Sequence, residues 1–280
     1  MINYVKGLTL ACTLLVADTS ILYAQETSNV HPYLTEKFFL DLGVFFPDRK
    51  FRLRVNGSSP AEDRDIDFED ELNLRKSDET FDLEFGWRFG KKWSLLTQYF
   101  ESSGATRAVL EEDVEWEDVI FEQGSNVSAG QDFSLFRVFF GRDFATSERH
   151  DAGIGLGFHW LEIGAFIEGT AIITGGGTSF TRESVRVAAP LPNIGAWYRY
   201  SWSPKWAMRA RYDWFSASVG EYDGTMTNAS IGLNYQMFEN FGIGMNYNDF
   251  NLDVGINKSD WNGSLRTSYE GLFVYVSANW

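Results

Sequence analysis

The residue in this sequence best suited to proton transfer is His159, in the stretch Gly153-Ile154-Gly155-Leu156-Gly157-Phe158-His159. A neutral imidazole is the side chain best matched to general-base work near neutral pH. Alone it does nothing, because a catalytic dyad or triad also needs a nucleophile or an orienting carboxylate within hydrogen-bond reach. The candidates are Glu162 nearby in sequence and Asp213 on another stretch; no His-x-Ser motif and no close Asp pair accompanies the histidine. At about 2.5 Å of height per residue on a tilted strand, His159 is expected towards one rim of the fold. It is read as an ordinary polar histidine, and no catalytic residue is assigned.

Two acidic runs, Glu62-Asp63-Arg64-Asp65-Ile66-Asp67-Phe68-Glu69-Asp70-Glu71 and Glu111-Glu112-Asp113-Val114-Glu115-Trp116-Glu117-Asp118, offer clustered oxygen ligands of the kind divalent cations prefer. Neither has the glycine and spacing of an EF-hand loop, so they read first as solvated, self-repelling loops and second as loose cation bridges. His150 and His31 stand apart, with no His/Cys cluster for zinc. Gly175-Gly176-Gly177 lacks the lysine of a phosphate loop. No resident metal and no cofactor is expected.

The elements that must carry these residues are written in the composition. The chain has 280 residues and a formal net charge of −15, which argues against nucleic acid as a partner. Aromatics make up 16% of it, with 26 Gly, 6 Pro and a single cysteine, Cys12. That excludes a disordered chain, a collagen and a disulfide scaffold. Residues 1–24 have the layout of a secretory signal peptide. Lys6 precedes the apolar run Leu8 to Ala17, and Leu22-Tyr23-Ala24 ends in a small residue before Gln25-Glu26. Cys12 lies inside that run with Thr9 where a lipoprotein would have Leu, so lipidation is not expected. Residues 25–280 form the mature domain. No other stretch is long and apolar enough for a spanning helix, so a membrane protein of this sequence would have to be a closed barrel.

Residues 25–280 alternate. In Phe81-Asp82-Leu83-Glu84-Phe85-Gly86-Trp87-Arg88-Phe89 one face is aromatic and aliphatic while the other is charged or Gly. Phe38, Leu40, Leu42, Val44 and Phe46 oppose Asp41 and Gly43; Trp206, Met208, Ala210, Tyr212 and Trp214 oppose Arg209, Arg211 and Asp213. Period two between an apolar and a wet face is a β-strand. A soluble sandwich alternates as well. Trp and Tyr near the strand ends, and Gly mixed with paired charges on the polar faces, favour a barrel in lipid. Parity then gathers Asp41, Asp82, Glu84, Arg88, Arg137, Arg199, Arg209, Arg211 and Asp213 in the lumen. There they form either a salt-bridge network that plugs it or the lining of a narrow aqueous path.

The chain ends Leu272-Phe273-Val274-Tyr275-Val276-Ser277-Ala278-Asn279-Trp280, with Tyr269 and Gly271 upstream. An alternating final strand closed by an aromatic residue resembles the assembly signal of Gram-negative outer-membrane β-barrel proteins, carried here by Leu272, Val274, Val276, Ala278 and Trp280. The resemblance implies a location in the cell outer membrane. It also implies partners in outer-membrane lipid and lipopolysaccharide and in the barrel assembly machinery, with divalent cations at the acidic loops. It names a class and not an activity.

Tight polar turns at Gly90-Lys91-Lys92, Asp143 to Arg149, Ser201-Trp202-Ser203-Pro204-Lys205 and Phe238-Glu239-Asn240 divide the chain into hairpins. The fold is therefore an all-β, transmembrane, antiparallel up-and-down barrel of about 10 strands. Pro47-Asp48 as an extra turn would make 12, and merged pairs would make 8. Outer loops are expected near 57–77, 117–127, 168–182, 219–224 and 254–263. Such a barrel is read as a small channel or a structural barrel with acidic extracellular loops. The alternatives are a rim enzyme using His159 on lipid or peptide, and an adhesin-like binding barrel.

Overall fold

A computed structural model describes residues 29–56, 66–68, 70–72, 79–116, 119–173, 177–219, 222–257 and 262–280. The expected signal peptide, half of the first acidic run, and Glu117 and Asp118 lie outside the described residues. A short helix α1 (Pro32–Thr35) precedes thirteen strands. These are β1 (Phe38–Asn56), β2 (Ile66–Asp67), β3 (Thr80–Phe89), β4 (Trp93–Val109), β5 (Val114–Trp116), β6 (Val119–Phe121), β7 (Asn126–Thr146), β8 (His150–Ile173), β9 (Gly177–Ser203), β10 (Trp206–Val219), β11 (Tyr222–Gln236), β12 (Phe241–Asn257) and β13 (Asn262–Asn279). Neighbours pair antiparallel in the order β8-β7-β4-β3-β1-β13-β12-β11-β10-β9, and β8 pairs β9, so these ten strands close on themselves. The short β2 lies against β1, and the hairpin β5–β6 reaches β8 through Ile120 and Ile172. Closure removes the sheet edges that no lipid could satisfy.

The tight turns fall where the polar dipeptides place them, at the end that also holds Phe38 and Trp280; their backbones bond each other, Phe38 N to Trp280 O at 2.9 Å. That end is periplasmic in a barrel of this kind. Pro47 makes no turn: β1 runs straight through it, with Pro47 opposite Gly271, and twelve strands are excluded. The outer connections at 168–182 and 254–263 are shorter than expected, whereas the one expected at 117–127 spans 110–125 and includes β5 and β6. β8 continues to Ile173, β9 begins at Gly177, and β7 begins at Asn126.

Those extra lengths have a cause. A tilted strand needs about 9–11 residues to cross a bilayer, yet β8 has 24 and β9 has 27. Along each long strand the two faces exchange polarity at one point. On β12 Phe241, Ile243, Met245 and Tyr247 point outward over Gly242, Gly244 and Asn246. Beyond them Asp249, Asn251 and Asp253 point outward over buried Phe250 and Leu252. On β1 the outward series Phe38 to Phe46 gives way to Asp48, Lys50 and Arg52, while the inward series changes from Asp41 to Phe45, Phe51 and Leu53, with buried Arg49 among them. The periplasmic half is therefore apolar outside and polar inside, as lipid requires, and the outer half is polar outside and mostly apolar inside, as water requires. Aromatic residues mark the changeover. Tyr99 donates to Glu101 at 2.7 Å, Trp160 to Glu162 at 3.2 Å and Tyr247 to Glu270 at 3.2 Å, each carboxylate being the next outward residue or its cross-strand neighbour. Near the other end Phe38 stacks on Trp280 and Trp206 packs on Tyr235.

Ala210 lies midway along the outward face of β10, between Trp206 and Trp214 and paired with Ile231 and Tyr198. Ala210→Arg is expected to lower the unfolding free energy in bilayers by about 2–4 kcal/mol, the cost of a guanidinium near the midplane. Equilibrium unfolding of the lipid-embedded protein measures it, and an unchanged free energy would reverse the assignment of faces.

Candidate functional site

Within the described residues the lumen holds two layers. In the membrane-level half, Asp41, Asp82, Glu84, Arg88, Arg137, Arg199, Arg209, Arg211 and Asp213 all point inward, and their elements bring them into contact across the barrel. Arg209 reaches Asp41 at 2.7 Å and Glu84 at 2.9 Å. Arg211 forks onto Asp213 at 2.9 and 3.0 Å, and Arg137 lies 3.5 Å from the same carboxylate and 4.0 Å from Glu84. Asp82 accepts from Gln98 at 2.9 Å. Nearer the periplasm, Arg199 and Arg88 share Asp151 at 2.7 and 3.3 Å. Burying these groups is tolerable because each faces an opposite charge or a donor. A cavity of about 50 Å³ remains among Glu84, Arg137, Arg209 and Arg211, space for a few waters.

The network includes residues the alternation did not single out. Asp151 stands at the start of β8 with the inward parity of Gly153 and His159. Asp143, expected in a turn, belongs to β7 and lies 4.0 Å from Arg199. Tyr33 comes from outside the strands altogether. The segment before β1 folds into the periplasmic mouth, where buried Tyr33 donates to Asp41 at 2.7 Å and accepts from Asn234 at 3.1 Å. Arg88 bonds the Tyr33 carbonyl, and the His31 backbone donates to Ser201 at 2.9 Å. His31 caps α1 by accepting from the Tyr33 amide, and burial pushes its imidazole down to about 4, so it sits there uncharged. The sequence signal was His31-Pro32-Tyr33: a cap residue, Pro at the first helical position and an aromatic anchor.

Above the ion pairs the lumen is packed mostly with apolar side chains, around a small buried polar group in which Arg49 donates to Ser102 at 3.4 Å and Gln131 to Tyr269 at 3.4 Å. Phe133 touches Phe100, Tyr269 and Phe250 with ring centroids 5.3, 4.5 and 5.9 Å apart. Leu53, Leu135, Leu161, Ile163, Ile167 and Leu265 fill the space around them. Both acidic runs contribute here, against the reading of them as merely solvated loops. Ile66 and Phe68 from the first, Leu72 just after it, and Val114 and Trp116 from the second are buried in this core, while Glu111, Glu112 and Asp113 stay exposed. Among the described residues no group of His, Cys, Asp or Glu is disposed to hold a metal ion.

His159 does not lie at the rim. β7, β8 and β9 run well past it, and it is fully buried at the junction of the two layers, opposite Arg137 and Leu191 and 6.4 Å from the ring of Phe250. The height estimate failed because it assumed that strands end at the membrane. Glu162 points outward, three residues on and of opposite parity, so it cannot orient the imidazole; Asp213 is held by two arginines.

Beyond the membrane the wall is not continuous among the described residues. The β9–β10 ladder stops at Ile194 and Trp214, just below Pro192 and Pro190, which have no amide to continue it. The β1–β3 ladder stops at Phe45 and Thr80. The outer half therefore consists of one sheet, β10 to β1, facing another, β4 to β9, across the apolar core.

No protein-family model matches the sequence, and no curated protein matches it significantly. Among solved structures, the chain is similar to the outer membrane protease OmpT from Escherichia coli, with a TM-score of 0.57 and 10% identity over 87% of this chain and 97% of that one. Looser likenesses are to the toluene transporter TodX of P. putida (TM-score 0.38, 9% identity, 89% and 91% of the two chains) and to Ail, the attachment invasion locus protein of Yersinia pestis (0.27, 11%, 86% and 99%). At these identities the fold alone is shared. With the apolar belt, that fold is a membrane-spanning β-barrel of the outer-membrane type.

Proposed function

We propose that this outer-membrane barrel conducts no solutes and serves instead as a structural or binding barrel, holding a two-sheet, water-soluble head at the cell surface. The observation that carries this reading is the occupation of the lumen in series. The His31–Tyr33 segment fills the periplasmic mouth, three arginines and three carboxylates join across the middle, and the Phe133 cluster packs the outer half. An aqueous path needs a continuous polar lining, whereas in the outer half of this lumen the buried polar groups Arg49, Ser102, Gln131 and Thr267 are embedded in a packed apolar core. Opening one would mean exposing that apolar core, at about 25 cal/mol per Å².

The refolded protein in planar bilayers is expected to show no single-channel steps above the lipid background, with or without 1 M salt. Regular conductance steps in the wild type, reproduced across preparations, would establish a channel and end this reading. The assembly-signal role of Leu272, Val274, Val276, Ala278 and Trp280 belongs to the same proposal. Four of them lie on the outward face of β13 and Trp280 directly follows the strand, where a machine that inserts the strand from the side would meet them.

A further inference from the structure

Above the membrane, the β4-β7-β8-β9 sheet has no strand beside either of its outer edges among the described residues. β9 pairs β10 only as far as Ile194, and β4 pairs β3 only as far as Phe100. The ladders below fix where the backbone beyond those points is aimed. The Asp143 amide donates to the Lys92 carbonyl and the β4–β7 register is regular, so even-numbered residues of β4 bond β7 and odd-numbered ones turn the other way. The Glu101 carbonyl does so, and takes the Thr80 hydroxyl. The Ser201 amide donates to Arg149, so on β9 the odd-numbered residues bond β8. The amides and carbonyls of Ser103, Ala105 and Arg107 on one edge, and of Phe180, Arg182, Ser184 and Arg186 on the other, therefore face away from the sheet.

Long open edges of this kind are templates for a further strand. Pro190 and Pro192 blunt β9 just above the belt, but Thr178 to Ala188 contains no proline. Val185 on β9 and Ala108 on β4 are only partly buried, so each open side leaves core surface uncovered.

We infer that these two edges pair between copies of the chain, β9 of one molecule adding to β4 of the next. The membrane holds every copy upright. β4 runs outward and β9 runs back towards the periplasm, so the two meet antiparallel, whereas β9 against β9 would be parallel. One antiparallel register matches the side chains. With Ser103 opposite Ser184, Glu101 faces Arg186 and Arg107 faces the exposed ring of Phe180, an ion pair and a cation–π contact. On the inner face Gly104 then opposes Glu183, leaving room for the carboxylate that Thr181 holds at 3.0 Å. A slip of two residues one way sets Arg107 against Arg182; a slip the other way loses both contacts. Arg186 already lies 3.4 Å from Asp132 in an exposed pair, and Glu101 adds a second carboxylate to it. Because the two edges are unlike, the contact propagates into a ring or a row about the membrane normal. It uses only the two sheets of the head and holds whether or not the lumen conducts.

The test mixes separately purified Ser103→Cys and Ser184→Cys chains in lipid vesicles under mild oxidation, with Cys12, the only native cysteine, replaced by Ser in both. A disulfide-linked dimer is expected from the mixture and not from either variant alone. Its absence from the mixture overturns the proposal, and so does an equal yield from the single variants, the mark of random collision. Self-association of the cysteine-free chain in micelles, read by sedimentation, supplies the second measurement. Ser184→Pro removes an edge amide without touching the β8 ladder and is expected to weaken association about tenfold, the loss of one ladder pair. Arg186→Glu is expected to weaken it several-fold, and Glu101→Arg in the same chain to restore it. The heat-sensitive shift of the folded band on a gel verifies each variant; should Ser184→Pro not fold, the charge exchange decides alone. Association unchanged by Arg186→Glu, or not restored by Glu101→Arg, overturns the register and the pairing with it.

Discussion

Asp213→Ala is expected to destabilise the barrel by about 3–5 kcal/mol, the range for removing one partner of a buried ion pair. The carboxylate is completely buried, takes both Arg211 bonds and stands 3.5 Å from Arg137, so its loss takes both bonds from Arg211 and leaves Arg137 only Glu84 at 4.0 Å. Asp213→Asn keeps an acceptor for Arg211 but removes the charge, and the loss should be smaller. The pairwise nature of the effect is checked by a cycle: Asp213→Ala in an Arg211→Ala background should cost clearly less than in the wild type, because one of the affected cations is already gone. Urea unfolding of the lipid-embedded protein, followed by tryptophan fluorescence, supplies the free energies. If the two substitutions add, the ion pairs do not hold the lumen together and the network is passive filling.

Phe133→Ala acts in the other layer and is expected to cost about 3–5 kcal/mol, the range for emptying a phenylalanine site in a packed core. The ring is 2% exposed and in contact with Phe100, Phe250 and Tyr269, which come from both sheets of the outer half. Because those sheets separate beyond Ile194–Trp214 and Phe45–Thr80, the damage should be local. Brief proteolysis is then expected to cut the variant in the connection between β4 and β7 well before the wild type. The protected membrane-level fragment and its heat-sensitive gel shift should persist. Loss of the whole barrel at the same denaturant concentration, with no protected fragment, would show that the two halves unfold as one unit and would refute the division.

Much of this was readable from the chain before any folding. Period-two alternation is imposed by the pleat residue by residue. Phe38 to Phe46, Phe81 to Phe89 and Trp206 to Trp214 therefore announced strands with one lipid face, and the tight polar turns announced a closed barrel of ten. The exchange of faces was present as well, in the shift of apolar residues from even to odd positions between Phe46 and Phe51 on β1. It was passed over because a single strand with an inverted half looks like two strands joined at Pro47. What the sequence could not supply was everything that depends on which strands meet across the lumen. The partnering of Arg209 with Asp41 joins residues 168 apart, and the burial of Tyr33 needs the whole mouth to be assembled. His159 shows the limit most directly. Its inward parity is local and was legible, but its accessibility depends on how far its neighbours extend above it and on Phe250 from a distant strand. Alternation determined the faces; closure of the barrel decided what each face encloses, because side-chain direction is a property of one strand and burial a property of all ten together.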